Sequence, residues 1–244
     1  MVQPNNQILL SGSVIGINRH TSGAMVLGRY NSDGSLDTTF GTGGFAEATN
    51  AVGPPSALAL LADGSYLAVD QSGAVAEFSS TGVLQPTVTP NTVVATSGSV
   101  FPGNPVVFQP NGDYIVGEFA GAGFQKTDDQ IFRFSETGAL DSSFSSTPFG
   151  FPSVKKSMPQ ALALQSNGQV LVGGIPFGLA RLNSNGELDT TFGSGGTVET
   201  PGAQVTGLLI QTDGKIIAIG AGGPNGTEQL MLSLSGQLRA RKRW

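Results

Sequence analysis

The chain of 244 residues has no cysteine, one histidine, one tryptophan and three tyrosines, and only 12% of its residues are charged. The missing cysteines exclude disulfides, thiolate metal sites and a cysteine nucleophile, and leave the redox compartment undetermined. A single histidine, His20, excludes a histidine-pair metal site. No apolar run reaches 18 residues, so no helical membrane span is written into the chain. Nor does any stretch keep the i, i+3, i+4, i+7 apolar spacing of an amphipathic helix over 11 or more residues. The N-terminus lacks the basic and apolar regions of a signal peptide. Because Met1 stands in mid-repeat, just ahead of a hairpin, the expectation is a fragment whose export signal lies elsewhere.

What is abundant is glycine, 36 residues, with Ser and Thr filling the segments between short apolar runs. That composition fits β-structure with tight turns. The chain repeats itself. Arg29-Tyr-Asn-Ser-Asp-Gly-Ser-Leu-Asp-Thr-Thr-Phe-Gly-Thr-Gly-Gly44 returns as Arg181-Leu-Asn-Ser-Asn-Gly-Glu-Leu-Asp-Thr-Thr-Phe-Gly-Ser-Gly-Gly196, and in worn form as Arg133-Phe-Ser-Glu-Thr-Gly-Ala-Leu-Asp-Ser-Ser-Phe144. With its glycine as marker the units fall at Gly34, Gly82, Gly138, Gly186 and Gly236, spaced by 48, 56, 48 and 50 residues. A second marker precedes each: Asp63-Gly64, Asn111-Gly112, Asn167-Gly168, Asp213-Gly214, and Asn5-Asn6 at the start. Apolar runs flank this second marker on both sides, which predicts a hairpin with a two-residue turn. A third run and a weaker fourth complete a four-stranded antiparallel meander. Five such meanders at this period predict an all-β fold, a five-bladed β-propeller. A β-sandwich also has many short strands, but it does not place one turn sequence at a fixed period. Residues 1–238 are read as one propeller domain, with the completeness of its last blade left open, and 239–244 as a basic C-terminal tail.

Leu36-Asp-Thr-Thr-Phe-Gly-Thr-Gly-Gly44, Leu188-Asp-Thr-Thr-Phe-Gly-Ser-Gly-Gly196 and Gln211-Thr-Asp-Gly-Lys215 resemble the repeats of the bacterial delta-60 family. The resemblance implies a propeller-like array common in exported bacterial proteins, hence a secreted or cell-surface location, and no defined activity. Copy two departs from it at Leu84-Gln-Pro-Thr-Val88, and copy five breaks off at Leu238.

Comparison of the copies singles out one pair of positions. Where the residue five before the marker glycine is Arg (Arg29, Arg133, Arg181), the residue three after it is Asp (Asp37, Asp141, Asp189). In copies two and five both change, to Glu77 with Gln85 and to Met231 with Arg239. Such covariation predicts an ion pair within each blade, fixing the turn to the third strand. Phe40, Phe144 and Phe192 are expected as plugs between blades rather than as platforms for sugars. Asn31 and Asp33 echo the start of a calcium loop, but no closing bidentate Glu follows, and self-bonded turn residues are expected instead.

Four of the twelve basic residues lie in Arg239-Ala-Arg-Lys-Arg-Trp244, which leaves an acidic body, so nucleic acid and anionic membrane are not expected as partners. The tail reads as an extension, an anchor or the fourth strand of the last blade, since Leu238, Ala240, Lys242 and Trp244 alternate with arginines. Asn225-Gly-Thr227 matches a glycosylation triplet that a bacterial origin would leave idle. The leading functional expectation is a non-catalytic binding or adhesion module presenting the connections between second and third strands to a glycan or protein. The candidate patches are 17–23, with Arg19 and His20; 119–129, with Gln125, Asp128 and Asp129; 221–228, with Asn225; and 175–177. Alternatives are a purely structural repeat domain, or a hydrolase or lyase sited in the central tunnel. No cofactor and no metal are expected.

Overall fold

The computed structural model describes residues 1–14, 24–52, 55–70, 75–85, 105–118, 130–145, 158–175, 178–199, 203–222, 228–234 and 238–242. Among these there are strands and turns and no helix, so none is long and apolar enough to cross a membrane.

The strands form five sheets, each following the chain order. The first holds β1 (Ile8–Val14), β2 (Ala24–Tyr30) and β3 (Phe45–Val52), and the second β4 (Pro55–Leu60), β5 (Tyr66–Asp70) and β6 (Val75–Phe78). The third holds β7 (Val106–Phe108), β8 (Tyr114–Glu118) and β9 (Gln130–Phe134). The fourth is β10 (Met158–Leu164), β11 (Val170–Ile175), β12 (Gly178–Leu182) and β13 (Thr197–Glu199). The fifth is β14 (Ala203–Ile210), β15 (Ile216–Gly222), β16 (Glu228–Leu234) and β17 (Leu238–Lys242). Every pair of defined register is antiparallel, as in β1 on β2, where Ile8 faces Tyr30 and Val14 faces Ala24.

The expectation of four strands in every unit is met in the fourth and fifth units and needs correction in the first. Sheets four and five have four named strands, and sheets one to three have three. In the first unit the missing strand shrinks to a bridge between Val2 and Ile8, held by Gln3 N–H to Gln7 O at 2.8 Å and Leu9 N–H to Met1 O at 2.9 Å. In the second and third units it is the fourth strand that is not seen, and its stretches, within 86–104 and 146–157, lie outside the described residues. The basic run of the C-terminus forms β17, whose Leu238–Lys242 pairs with Leu230–Leu234 as the outer strand of the fifth sheet.

The hairpin turn also differs from expectation, being one residue longer than the two-residue form. At Asp63-Gly64, Leu61 N–H donates to Ser65 O at 2.8 Å and Gly64 N–H to Leu61 O at 3.0 Å. Only the glycine takes positive φ, +87° at Gly64, whereas a two-residue type I′ turn would need it at both central positions. This is a type I turn closed by a left-handed residue. The same bonding recurs at Gly34, Gly82, Gly138, Gly168, Gly186 and Gly214, and Asn6 fills the glycine's place at φ 64°. Both sequence markers therefore encode one local structure.

By its contacts the chain divides into two compact units. One comprises Met1–Pro102, Pro110–Asp113 and Phe134–Leu140, and the other Gly103–Gln109, Tyr114–Arg133 and Asp141–Trp244. Within the first, Leu9, Met25, Leu27 and Phe40 of sheet one bury against Tyr66, Ala68, Ala76 and Phe78 of sheet two. Within the second, Ile115, Ile131 and Phe144 bury against Val170, Val172, Ala180 and Leu182, and the other face of sheet four buries Leu171 and Leu179 against Val205, Ile216 and Ala218. Period-two alternation makes this possible, since each strand gives one set of side chains to each face of its sheet.

Gly82 is packed as well as left-handed. A Cβ there would sit 2.7 Å from Gly41 N and 2.9 Å from the Phe40 ring, while one at Gly34, at nearly the same φ, would meet nothing within 4 Å. Gly34→Ala is therefore expected to cost only the backbone term of about 1–2 kcal/mol, and Gly82→Ala that term plus an overpacking cost of about 1–3 kcal/mol. Urea denaturation of the two variants checks this. Equal costs would contradict the packed role of Gly82.

Candidate functional site

The first, third and fourth repeats bring polar residues together where the third strand meets the turn after it. In the first unit β2 carries Arg29, and an isolated bridge between Tyr30 and Leu36 sets Asp37 alongside it. Arg29 Nε donates to Asp37 Oδ2 at 2.7 Å, and Gln7 Nε2 donates to the same oxygen at 2.9 Å. The other carboxylate oxygen accepts Thr39 N–H at 3.1 Å and Thr39 Oγ1–H at 2.6 Å. Asp37 is buried, and these four donors satisfy its oxygens. The Thr39 hydroxyl first, helped by the Thr39 amide and the Arg29 guanidinium, holds its carboxyl at about 2 against an ordinary 3.8, overcoming the opposing effect of burial.

The guanidinium does more than close an ion pair. It lies over the Phe40 ring, with Cζ 4.6 Å from the centroid. Its Nη1 leaves the first sheet and donates to Ser80 O, in the turn after β6 of the second sheet, at 2.7 Å. Next to it Gly41 N–H donates to Thr81 O at 2.8 Å, and Phe40 meets Tyr66 edge-on, ring centroids 5.8 Å apart. One arginine thus fixes its own turn and fastens it to the following sheet.

The third sheet repeats the device, and the fourth repeats its ion pair and ring contact. Arg133 Nε donates to Asp141 Oδ2 at 2.7 Å and Nη1 to Ser184 O at 2.8 Å, with Cζ 4.8 Å from the Phe144 centroid. Ser145 N–H donates to Asn185 O at 2.7 Å. Arg181 Nε donates to Asp189 Oδ2 at 2.7 Å, Gln169 Nε2 joins at 2.9 Å, and Cζ stands 4.6 Å from the Phe192 centroid. Asp141 and Asp189 are also held at about 2, chiefly by the hydroxyls of Ser143 and Thr191. The structure therefore brings together Arg29 with Asp37, Arg133 with Asp141 and Arg181 with Asp189.

Copy two inverts the chemistry. Glu77 holds the Arg position, and burial first, then the charges of Asp63 and Glu136, push its carboxyl above the ordinary glutamate range. Gln85, at the Asp position, turns to Val83 O at 2.9 Å. Asp33 behaves as a turn residue, since its Oδ1 accepts Ser35 N–H at 2.9 Å and Ser35 Oγ–H at 2.6 Å.

Of the loop residues singled out from sequence, Arg19, His20, Gln125, Asp128, Asp129 and Asn225 lie outside the described residues. The sequence reading missed Gln7 and Gln169, the threonines at Thr39 and Thr191, and the carbonyls of Ser80 and Ser184. A signal for the glutamines was present, because each directly follows a second marker, Asn5-Asn6-Gln7 and Asn167-Gly168-Gln169, in the two copies that share Asp-Thr-Thr-Phe.

A family model described as a domain of unknown function (DUF5122) beta-propeller matches residues 3–40 and 165–192. The two segments contain Gln7, Arg29, Asp37 and Phe40 and their counterparts Gln169, Arg181, Asp189 and Phe192. Solved structures match over most of the chain. Sqt1 of Saccharomyces cerevisiae does so at 11% identity and a TM-score of 0.60, over 96% of this chain and 57% of its own. The WD40 β-propeller domain of Doa1 gives 13% identity and 0.56, over 88% and 60%. The fold is a β-propeller. YCF48, solved bound to a D1 peptide, is similar at 11% identity and 0.54, over 89% and 60%. The chain spans about three fifths of the length of these structures. No curated protein matches its sequence.

Two titrations of opposite sign follow from the carboxylates. The depressed aspartates contribute stability that is complete above their ordinary pKa and is lost as pH falls from about 4 through about 2. Asp37→Asn is expected to flatten part of that fall in an acid-denaturation series. For Glu77 the folded pKa is raised, so stability is lost as pH rises above the ordinary glutamate value. Glu77→Gln is expected to exceed the parent in melting temperature at pH 7 and to equal it below pH 4. Arg29→Met is expected to cost about 1.5–3 kcal/mol in urea, the range for hydrogen bonds to charged groups.

Proposed function

We propose that this protein is a five-bladed, non-catalytic binding module of an exported bacterial protein, presenting the connections between its second and third strands to a protein or glycan. The supporting observation is a division of labour within the first, third and fourth sheets. Their recurrent Arg, Asp and Phe lie at the turn end, where the polar atoms bond one another and, for Arg29 and Arg133, the next sheet. In an antiparallel meander the connections between second and third strands leave from the opposite end. Those connections, residues 15–23, 71–74, 119–129, 176–177 and 223–227, differ in length and sequence from copy to copy. Variable loops on a rigid scaffold are where recognition resides in many folds. A protein ligand is favoured over a glycan by the peptide bound to YCF48, a fold-level analogy. The acidic, Gly-, Ser- and Thr-rich composition accords with export.

The test is a peptide and glycan array probed with the purified chain and with a variant whose residues 119–129 are replaced by a short Gly-Ser linker. A saturable ligand lost in the variant, at unchanged melting temperature, is the expected result. A ligand retained by the variant would sink the assignment of this loop. Silence of both proteins on both arrays would favour the purely structural role, which the fastening of sheet to sheet also supports.

A further inference from the structure

Where the second sheet meets the turns of the third unit, the chemistry differs from that of the junctions held by Arg29 and Arg133. The residues concerned lie in one compact unit, Met1–Pro102 with Pro110–Asp113 and Phe134–Leu140. The backbone is the same as elsewhere: Gln85 N–H donates to Glu77 O at 2.8 Å, as Asp37 N–H does to Arg29 O at 2.9 Å. Glu77 therefore leaves β6 where Arg29 leaves β2. The acceptors of the arginine Nη1 groups, Ser80 O and Ser184 O, each stand two before a marker glycine, and in the third unit that position is Glu136. Its turn is folded alike, with Ser135 N–H to Ala139 O at 2.9 Å and Gly138 N–H to Ser135 O at 2.8 Å. A carboxyl thus occupies each side of the junction. The two turns also touch. A Cβ at Gly112 would stand 2.8 Å from Glu136 Oε2 and 3.5 Å from Leu61 Cδ2, so the Glu136 carboxyl and the leucine that opens the β4–β5 turn both close on this glycine.

Ser65 decides which form of Glu77 fits. It is buried, it takes the position of Gln7 and Gln169, and its one hydroxyl proton goes to Asp63 Oδ1 at 2.6 Å. The side chain of Ser65 is also bonded to Glu77. A hydroxyl that has given its proton away can only accept, so the bond to Glu77 needs a carboxyl that still carries its own proton. Neutral Glu77 completes a chain, Glu77 O–H to Ser65 Oγ and Ser65 O–H to Asp63, in which each donor has an acceptor. Ionised Glu77 finds no free donor in Ser65 and adds a third negative charge to those of Asp63 and Glu136. Of the other charged groups on the packed elements, Asp113 accepts Asn111 Nδ2 at 2.7 Å, and Arg133 is taken by Asp141 and Ser184 O. No cation of the described residues offsets the three carboxylates.

We propose that Glu77 is a proton switch for this junction: its neutral carboxyl, bonded to Ser65 Oγ, lets the turn 135–138 seat against the second sheet, and its ionised form loosens that seat. The proton is taken from solvent. Burial and the two like charges hold the Glu77 carboxyl above its ordinary value, so the closed form is complete below pH 4.5 and is lost as pH rises through the raised value. The arginine junctions keep their aspartates charged until pH falls below 3.8. Mild acid therefore tightens this junction and leaves those of Arg29 and Arg133 as they are. The switch is independent of which ligand the loops bind.

The reporter is the nuclear Overhauser cross-peak between a Leu61 methyl and the Gly112 α-protons, recorded on the full chain from pH 4.5 up to neutral pH. In the parent its intensity is expected to fall at least threefold on reaching neutral pH. Glu77→Gln, which keeps a donor for Ser65 and carries no charge, is expected to hold the acid-side intensity throughout, and Glu136→Gln to lose less than the parent. A constant cross-peak in the parent overturns the proposal. An equal fall in Glu77→Gln also overturns it, because the titrating group then lies elsewhere, and an undiminished fall in Glu136→Gln overturns the opposition of the two carboxyls. Ser65→Ala is the remaining variant. Without the acceptor that favours neutral Glu77, its midpoint is expected at lower pH than the parent's, and an unchanged midpoint overturns the part assigned to the hydroxyl.

Discussion

The guanidinium of Arg29, with its counterparts Arg133 and Arg181, is the contact on which the repeat depends. Each is pinned by an aspartate of its own turn and supported by a phenylalanine ring. For Arg29 and Arg133 another guanidinium nitrogen reaches a backbone carbonyl of the next sheet. An exposed ion pair contributes little to stability, and one held in place by several hydrogen bonds and a ring contributes more. Here the side chain also has a directional role. It reads the position of a carbonyl in the following turn, which only a chain folded through a left-handed glycine presents there. Apolar burial drives sheet against sheet, and the arginine sets the register of that packing.

This arrangement has a functional corollary. The residues that recur most faithfully are those whose polar atoms are already bonded within the protein, so their recurrence marks architecture. Departures from the repeat carry different information. Glu77, standing where an arginine stands elsewhere, is pushed by burial and by the charges of Asp63 and Glu136 toward its neutral form. The connections at the other end of each sheet share no sequence.

Much of the architecture was legible in the chain because the period is carried by glycines whose conformation has few substitutes. Gly34, Gly82, Gly138 and Gly186 all sit at φ between 81° and 87° in one kind of turn. The Arg–Asp covariation was legible because the two residues meet within a single unit. The turn length was misread, since Asp-Gly occurs in both two- and three-residue hairpins and only the hydrogen bond from Leu61 to Ser65 separates them. Gln7 and Gln169 were missed because their partner lies across the sheet, and Ser80 and Ser184 because a backbone carbonyl leaves no trace in side-chain identity. The loop candidates rested on their position between strands, without a recurring residue to anchor them.

The central claim is that the arginine fastens one sheet to the next. Native-state hydrogen exchange at the Gly41 amide, bonded to Thr81 O across the first two sheets, reads that fastening directly. In Arg29→Met the Gly41 amide should lose at least tenfold of its protection, while amides inside the β1–β2 pair keep theirs. Unchanged protection at Gly41 would show that apolar packing alone holds the sheets in register, and would contradict the account.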